Sequence, residues 1–245
     1  MCSNSSVSDW RLIRVLPALL AALFTLAAGG CKSRLLRATV ERKIAHRLGD
    51  KLGPAEKYQV RILGTYDNDL VRGRAKLIRI TGRQVFARRE IMLAAVRLEI
   101  RDLRYEGEKP YFVSVRDNEI EVELTDRDLN AYLAARRTRY QPRVTFLQDV
   151  GALKMTYRFL GKDVPISARG HLEVEAGERL MFRADTVNLK LLDAPGFNER
   201  FVEDRINPLL DLSKLDLPLK LESARMEPGR VIIHGSAILG GETPR

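Results

Sequence analysis

Residues 118–133, Asn-Glu-Ile-Glu-Val-Glu-Leu-Thr-Asp-Arg-Asp-Leu-Asn-Ala-Tyr-Leu, change period halfway. Up to Leu124, apolar and acidic side chains alternate, so Ile120, Val122 and Leu124 share one strand face and Glu119, Glu121 and Glu123 the other. From Thr125 the spacing turns helical. Thr125-Asp126-Arg127-Asp128 has the form of a capping box, with the hydroxyl meeting the first free amides, and Leu129, Tyr132 and Leu133 give an apolar side to a helix ending near Arg137. A strand with one wet face that runs straight into a capped helix predicts an α+β protein built on antiparallel pairing.

Outward from there the alternation recurs. Tyr58, Val60 and Ile62 alternate with polar neighbours, and Val96, Leu98 and Ile100 with Arg97, Glu99 and Arg101. Turn signals at Asp117-Asn118, Asp149-Val150-Gly151, Gly161-Lys162-Asp163, Glu175-Ala176-Gly177-Glu178 and Glu227-Pro228-Gly229-Arg230 separate further strands at 144–147, 153–160, 164–174, 180–192, 219–226 and 231–239. The expectation is a meander of hairpins. A helix starts after Pro195-Gly196, with Phe197, Phe201, Val202, Ile206, Leu209 and Leu210 at helical spacing and Pro208 near its end. Another spans about residues 33–52, where Leu36, Val40, Ile44, Leu48 and Leu52 recur every fourth residue before Gly53-Pro54. Lys32, Arg34, Arg37, Arg42, Lys43, Arg47 and Lys51 make this helix basic as well as amphipathic.

At the N-terminus, Arg11 and Arg14 precede an apolar run, 15–28, that meets Gly29, Gly30 and Cys31. This reads as an export signal, residues 1–30, followed by a single domain, 31–245. Small residues before a cysteine resemble a bacterial lipobox, which makes Cys31 the mature N-terminus and a lipid anchor; Ala28 stands where a lipobox usually has Leu or Val. Plain cleavage nearby and an uncleaved anchor are the alternatives. The expected location is the bacterial cell envelope, membrane-anchored and facing the periplasm or the outside.

The net charge of +10 asks for an anionic partner. It is concentrated in the basic helix and in Arg72, Arg74, Lys76, Arg79, Arg83, Arg88 and Arg89, a run with no acid from 70 to 89. Arg72, Arg74 and Lys76 share a strand face by parity. An exported protein seldom meets nucleic acid, so these seven residues are read as binding the head groups of an anionic phospholipid membrane.

Chemistry is sparse. There is no G-x-S-x-G elbow, H-E-x-x-H pair or phosphate loop, and His46, His171 and His234 fall on different elements, so neither a metal nor a cofactor is expected. Glu119, Glu121 and Glu123 are within reach of one another for acid–base work, but they also supply the wet face their strand needs. Leu153, Met155, Tyr157 and Phe159, Leu180 and Phe182, and Phe197 and Phe201 form an apolar inventory that suits either a filled core or a lined groove.

The arrangement resembles the LmeA-like phospholipid-binding family of bacterial envelope proteins. The similarity runs through LVRGRAKLIRITGRQV (70–85), AAVRLEIRDLRY (94–105), VELTDRDLNAYL (122–133), RADTVNLKLLDAPG (183–196) and LKLESARMEPGRVIIHGSA (219–237). It implies a tubular lipid-binding type of fold, a strongly curved antiparallel sheet wrapped around a long helix, with bound phospholipid as ligand and no catalytic residues to assign. The expected function is non-enzymatic phospholipid binding, with possible lipid transfer; the alternatives are an envelope scaffold with a filled core and an enzyme acting on glycolipid or cell wall through the Glu119 face.

Overall fold

The computed structural model describes residues 33–106, 112–137, 139–189, 197–215 and 219–238. The expected export signal, residues 1–30, and Cys31 lie outside them. Along the chain run α1 (Ser33–Lys51), β1 (Ala55–Leu63), α2 (Asp67–Val71), β2 (Arg74–Ala87), β3 (Ile91–Glu106), β4 (Phe112–Ser114), β5 (Asp117–Thr125), α3 (Asp126–Arg136), β6 (Arg143–Phe146), β7 (Gly151–Phe159), β8 (Lys162–Glu175), β9 (Arg179–Leu189), α4 (Phe197–Ile206), β10 (Leu210–Asp211), β11 (Leu219–Glu227) and β12 (Arg230–Ala237). The architecture is mostly antiparallel, with few helices and a sheet curled like half a barrel.

The strands form two sheets where the sequence suggested one. Among the described residues a seven-stranded sheet has the order β1-β2-β3-β5-β12-β11, with β4 beside β3, and a five-stranded sheet has the order β10-β9-β8-β7-β6. The break falls at Thr125. Its hydroxyl accepts from the Asp128 amide at 3.1 Å and donates to the Asp128 carboxylate at 2.7 Å, so the cap stops β5 and turns the chain into α3. The chain then builds the second sheet before β11 and β12 return to the first. That return is a packing decision: Val231 and Ile233 come opposite Leu124 and Val122, extending the buried rows of β5. Asp117-Asn118, expected as a turn, opens β5 instead, because Arg101 takes Asp117 at 2.9 Å and both residues pair with β3.

Helix α1 buries Val40, Ile44 and Leu48, with Leu36 and Leu52 partly buried, as the four-residue period requires. It packs mainly along β1 and α2 at the sheet edge. There the Glu41 carboxylate accepts from the Ile62 amide at 2.8 Å, satisfying a donor on the edge strand.

Two asparagines fasten the other helices to the second sheet. Asn130 on α3 accepts from the Val144 amide and donates to the Val144 carbonyl, both at 2.7 Å. Asn207, just past α4, does the same for Phe182 at 2.7 and 2.8 Å. Arg137 joins the two ends, donating to the carbonyls of Arg205 at 3.1 Å and Asn207 at 3.0 Å. Replacing Asn130 by Ala strands both polar groups of Val144, a residue closed to solvent. The expected loss is about 3 kcal/mol, read from the denaturant midpoint at unchanged slope.

Candidate lipid-binding site

Strand β2 carries the basic run. Arg74, Lys76, Arg79 and Arg83 lie on exposed positions of the strand, and Arg89 is exposed and Arg88 half-buried in the turn to β3. Arg72 is exposed but sits in the turn after α2, so it does not share the strand face that parity assigned it. What is compact in sequence is stretched in space. At about 3.3 Å per residue, the run from Arg72 to Arg89 extends roughly 50 Å. Arg79 is partly neutralised, because its Nε donates to Glu99 at 2.7 Å. That hydrogen bond, with help from Arg101, holds the Glu99 carboxyl below the usual range. Two cations that sequence reasoning missed widen the patch across the edge: Lys57 stands opposite Arg83, and Arg61 opposite Arg79. Both could be found only once the β1/β2 register was known.

The apolar inventory divides by depth. Leu153, Met155, Leu180 and Phe182 are at most 3% exposed and belong to the core. Tyr157 and Phe201 are only partly buried against it. The Tyr157 ring meets Phe201 edge-on at 5.1 Å and stacks with Tyr140 at 6.2 Å. The Arg205 guanidinium lies 3.4 Å from the Phe201 centroid, a cation–π contact that lets a charged residue cover an aromatic rim. The side chains of Phe159 and Phe197 lie outside the described residues.

The structure adds a feature that sequence reasoning missed. Three overlapping clefts, of about 420, 490 and 540 Å³, run over the polar face of the five-stranded sheet and round the edge strand β6 to α3. The first two share Lys154, Ser167 and Asn188, and the first and third share Gln141 and Arg143. The signal was faint. Each polar residue is the ordinary wet partner in an alternating strand, and only the register brings them together.

The acidic face of β5 is largely engaged. Arg97 bonds Glu121, and Arg230 reaches Glu123 at 3.2 Å. Among the described residues no group of three or more His, Cys, Asp or Glu is placed to hold a metal ion, and no helix is long and apolar enough to cross a membrane.

The architecture is mostly antiparallel, with one strongly curled sheet and few helices. The chain belongs to the LmeA-like phospholipid-binding family, whose model matches residues 32–236. This is a lipid-binding family and not a family of enzymes. No curated protein and no solved structure matches the chain.

Proposed function

We propose that the protein is a phospholipid-binding lipoprotein of the bacterial cell envelope. In this reading Cys31 carries the acyl anchor, the basic residues of α1 and of the β2 segment dock on anionic head groups, and acyl chains enter an apolar groove at the Tyr157/Phe201 rim, with Leu153, Met155, Leu180 and Phe182 as the wall beneath. The curled sheet would then enclose the chains together with the helices packed on it. The family match over 32–236 is the observation that carries the reading. The exposed cations of β2 support the docking step. The depth of Leu180 and Phe182 favours the alternative, a scaffold with a filled core.

Vesicle flotation of the chain beginning at Lys32 tests the docking. Binding to phosphatidylglycerol vesicles should exceed binding to phosphatidylcholine vesicles and fall with salt, as the Debye length shrinks from about 10 Å at 0.1 M to about 3 Å at 1 M. Replacing Arg74, Lys76 and Arg83 by Gln removes three cations worth about 1 kcal/mol each near an anionic surface, so binding should fall by roughly 100-fold without a change in the thermal midpoint. Glu99→Gln acts in the opposite direction, because it frees Arg79. Salt-independent binding to neutral vesicles contradicts the mechanism. The anchor has its own test: radiolabelled palmitate should enter the wild type and not Cys31→Ser, and equal labelling sinks the assignment.

A further inference from the structure

We infer that the trough over the five-stranded sheet is a site for the phosphate head group of a glycerophospholipid, gripped by Arg143, Lys154 and Arg169. The inference rests on the phospholipid reading above and gives it a head-group site apart from the β2 surface. Arg143, Lys154, Ser167 and Asn188 stand directly opposite one another on β6, β7, β8 and β9, one row across the sheet. Side chains paired in this way have β-carbons about 5 Å apart, close enough that an Arg facing a Lys destabilises the pair. In the next row Ala152 pairs with Arg169, which sets the third cation diagonal to Lys154.

Among the described residues nothing offsets this charge. Among the described residues no Asp or Glu lines the three clefts and none of the three cations has an ion-pair partner. Some facing charges in the other sheet are resolved internally: Arg101 takes Asp117, and Arg97 takes Glu121. Lys57 faces Arg83, and Arg74 faces Arg104, in the same unresolved way, but on the β2 surface already assigned to anionic lipid. A phosphate between Arg143 and Lys154 turns the repulsion into charge-assisted hydrogen bonds, with the guanidinium fork suited to two of its oxygens. Ser167 and Asn188 then supply neutral donors for ester oxygens.

The trough also has an exit towards apolar surface. The pairing of β6 with β7 stops at Arg143 and Lys154, and beyond it Met155–Phe159 of β7 have no strand partner on that side among the described residues. Along that edge the Thr156 amide donates to the Tyr140 carbonyl at 2.9 Å, and the Tyr140 ring stacks with Tyr157. A lipid held by its phosphate at Arg143 and Lys154 can pass its chains across this edge to the rim where Phe201 sits.

The test titrates the full chain in a non-ionic detergent with dihexanoylphosphatidylglycerol, dihexanoylglycerol and inorganic phosphate, for the wild type, Arg143→Gln/Lys154→Gln, Lys154→Arg and Arg116→Gln/Lys220→Gln. The double variant in the trough should bind dihexanoylphosphatidylglycerol at least about tenfold more weakly per cation removed, while Lys154→Arg and Arg116→Gln/Lys220→Gln, which removes two exposed cations outside both basic surfaces, stay near wild type. Dihexanoylglycerol, which lacks the phosphate, should bind all four alike. The thermal midpoint of the lipid-free double variant should not fall, since a repulsion has been removed, and its rise on adding lipid should vanish. If the double variant binds dihexanoylphosphatidylglycerol as the wild type does, the site is refuted and the phospholipid reading stands. If the wild type binds inorganic phosphate but no lipid, or neither, both are refuted.

Discussion

Phe182→Ala should lower stability by about 3 to 5 kcal/mol, and adding lipid should not restore it. Phe182 is fully buried, its backbone is clasped by Asn207, and a β-carbon on Gly151 would come within 3.1 Å of its ring. The space is too tightly filled to close over the cavity that truncation leaves. Phe201→Ala differs in kind, since its ring is partly exposed and covered by Arg205. The rim variant should lose less, and bound lipid should recover part of what it loses. Thermal midpoints of both variants, with and without phosphatidylglycerol, check the pair. Equal losses unaffected by lipid would make Phe201 ordinary core.

Gly235→Ala should be nearly as damaging, at about 3 kcal/mol. A β-carbon at Gly235 would run into the carbonyl group of Lys220 on the neighbouring strand, beside the irregular pairing between Leu221 and Ser223. The clash is with backbone, so the hairpin itself must shift. Gly170 meets the carbonyl of Arg183 in the same way at the β8/β9 irregularity. Gly49→Ala is the control. Its β-carbon meets nothing within 4 Å on helix α1, so the exchange should stabilise by about 0.5 to 1 kcal/mol. Urea denaturation midpoints of the three proteins report the contrast.

Local structure was legible in the sequence where one period dominated. The alternation of Ile120, Val122 and Leu124, the Thr125 cap and the four-residue stripe of α1 are each set by neighbours in the chain, and each stands in the structure. Long-range choices were not legible. Nothing near β12 states that it pairs with β5, because any alternating strand offers the same edge until the apolar rows are matched. The five residues of α2 are too few to show a helical period.

The candidate site followed the same division. The basic run was visible because its residues fall within one stretch, 72–89, that has no acid, but its partial neutralisation was not, since Glu99 lies on the next strand. Arg143, Lys154 and Arg169 sit on three strands, and no window of sequence contains them together. Depth was equally hidden: Phe182 and Phe201 look alike in sequence and differ in burial because one faces the core and the other its rim.

The most direct test of phospholipid binding is a native mass spectrum of the protein purified in mild detergent from its own envelope. Phospholipid should be bound beyond any acyl chains on Cys31, should leave on collisional activation, and should be lost from Phe201→Trp while that variant keeps its thermal midpoint, because the larger ring at the partly buried rim fills space the chains would occupy. A wild type that carries no phospholipid, together with a Phe201→Trp variant that unfolds, would contradict phospholipid binding and leave a scaffold with a filled core.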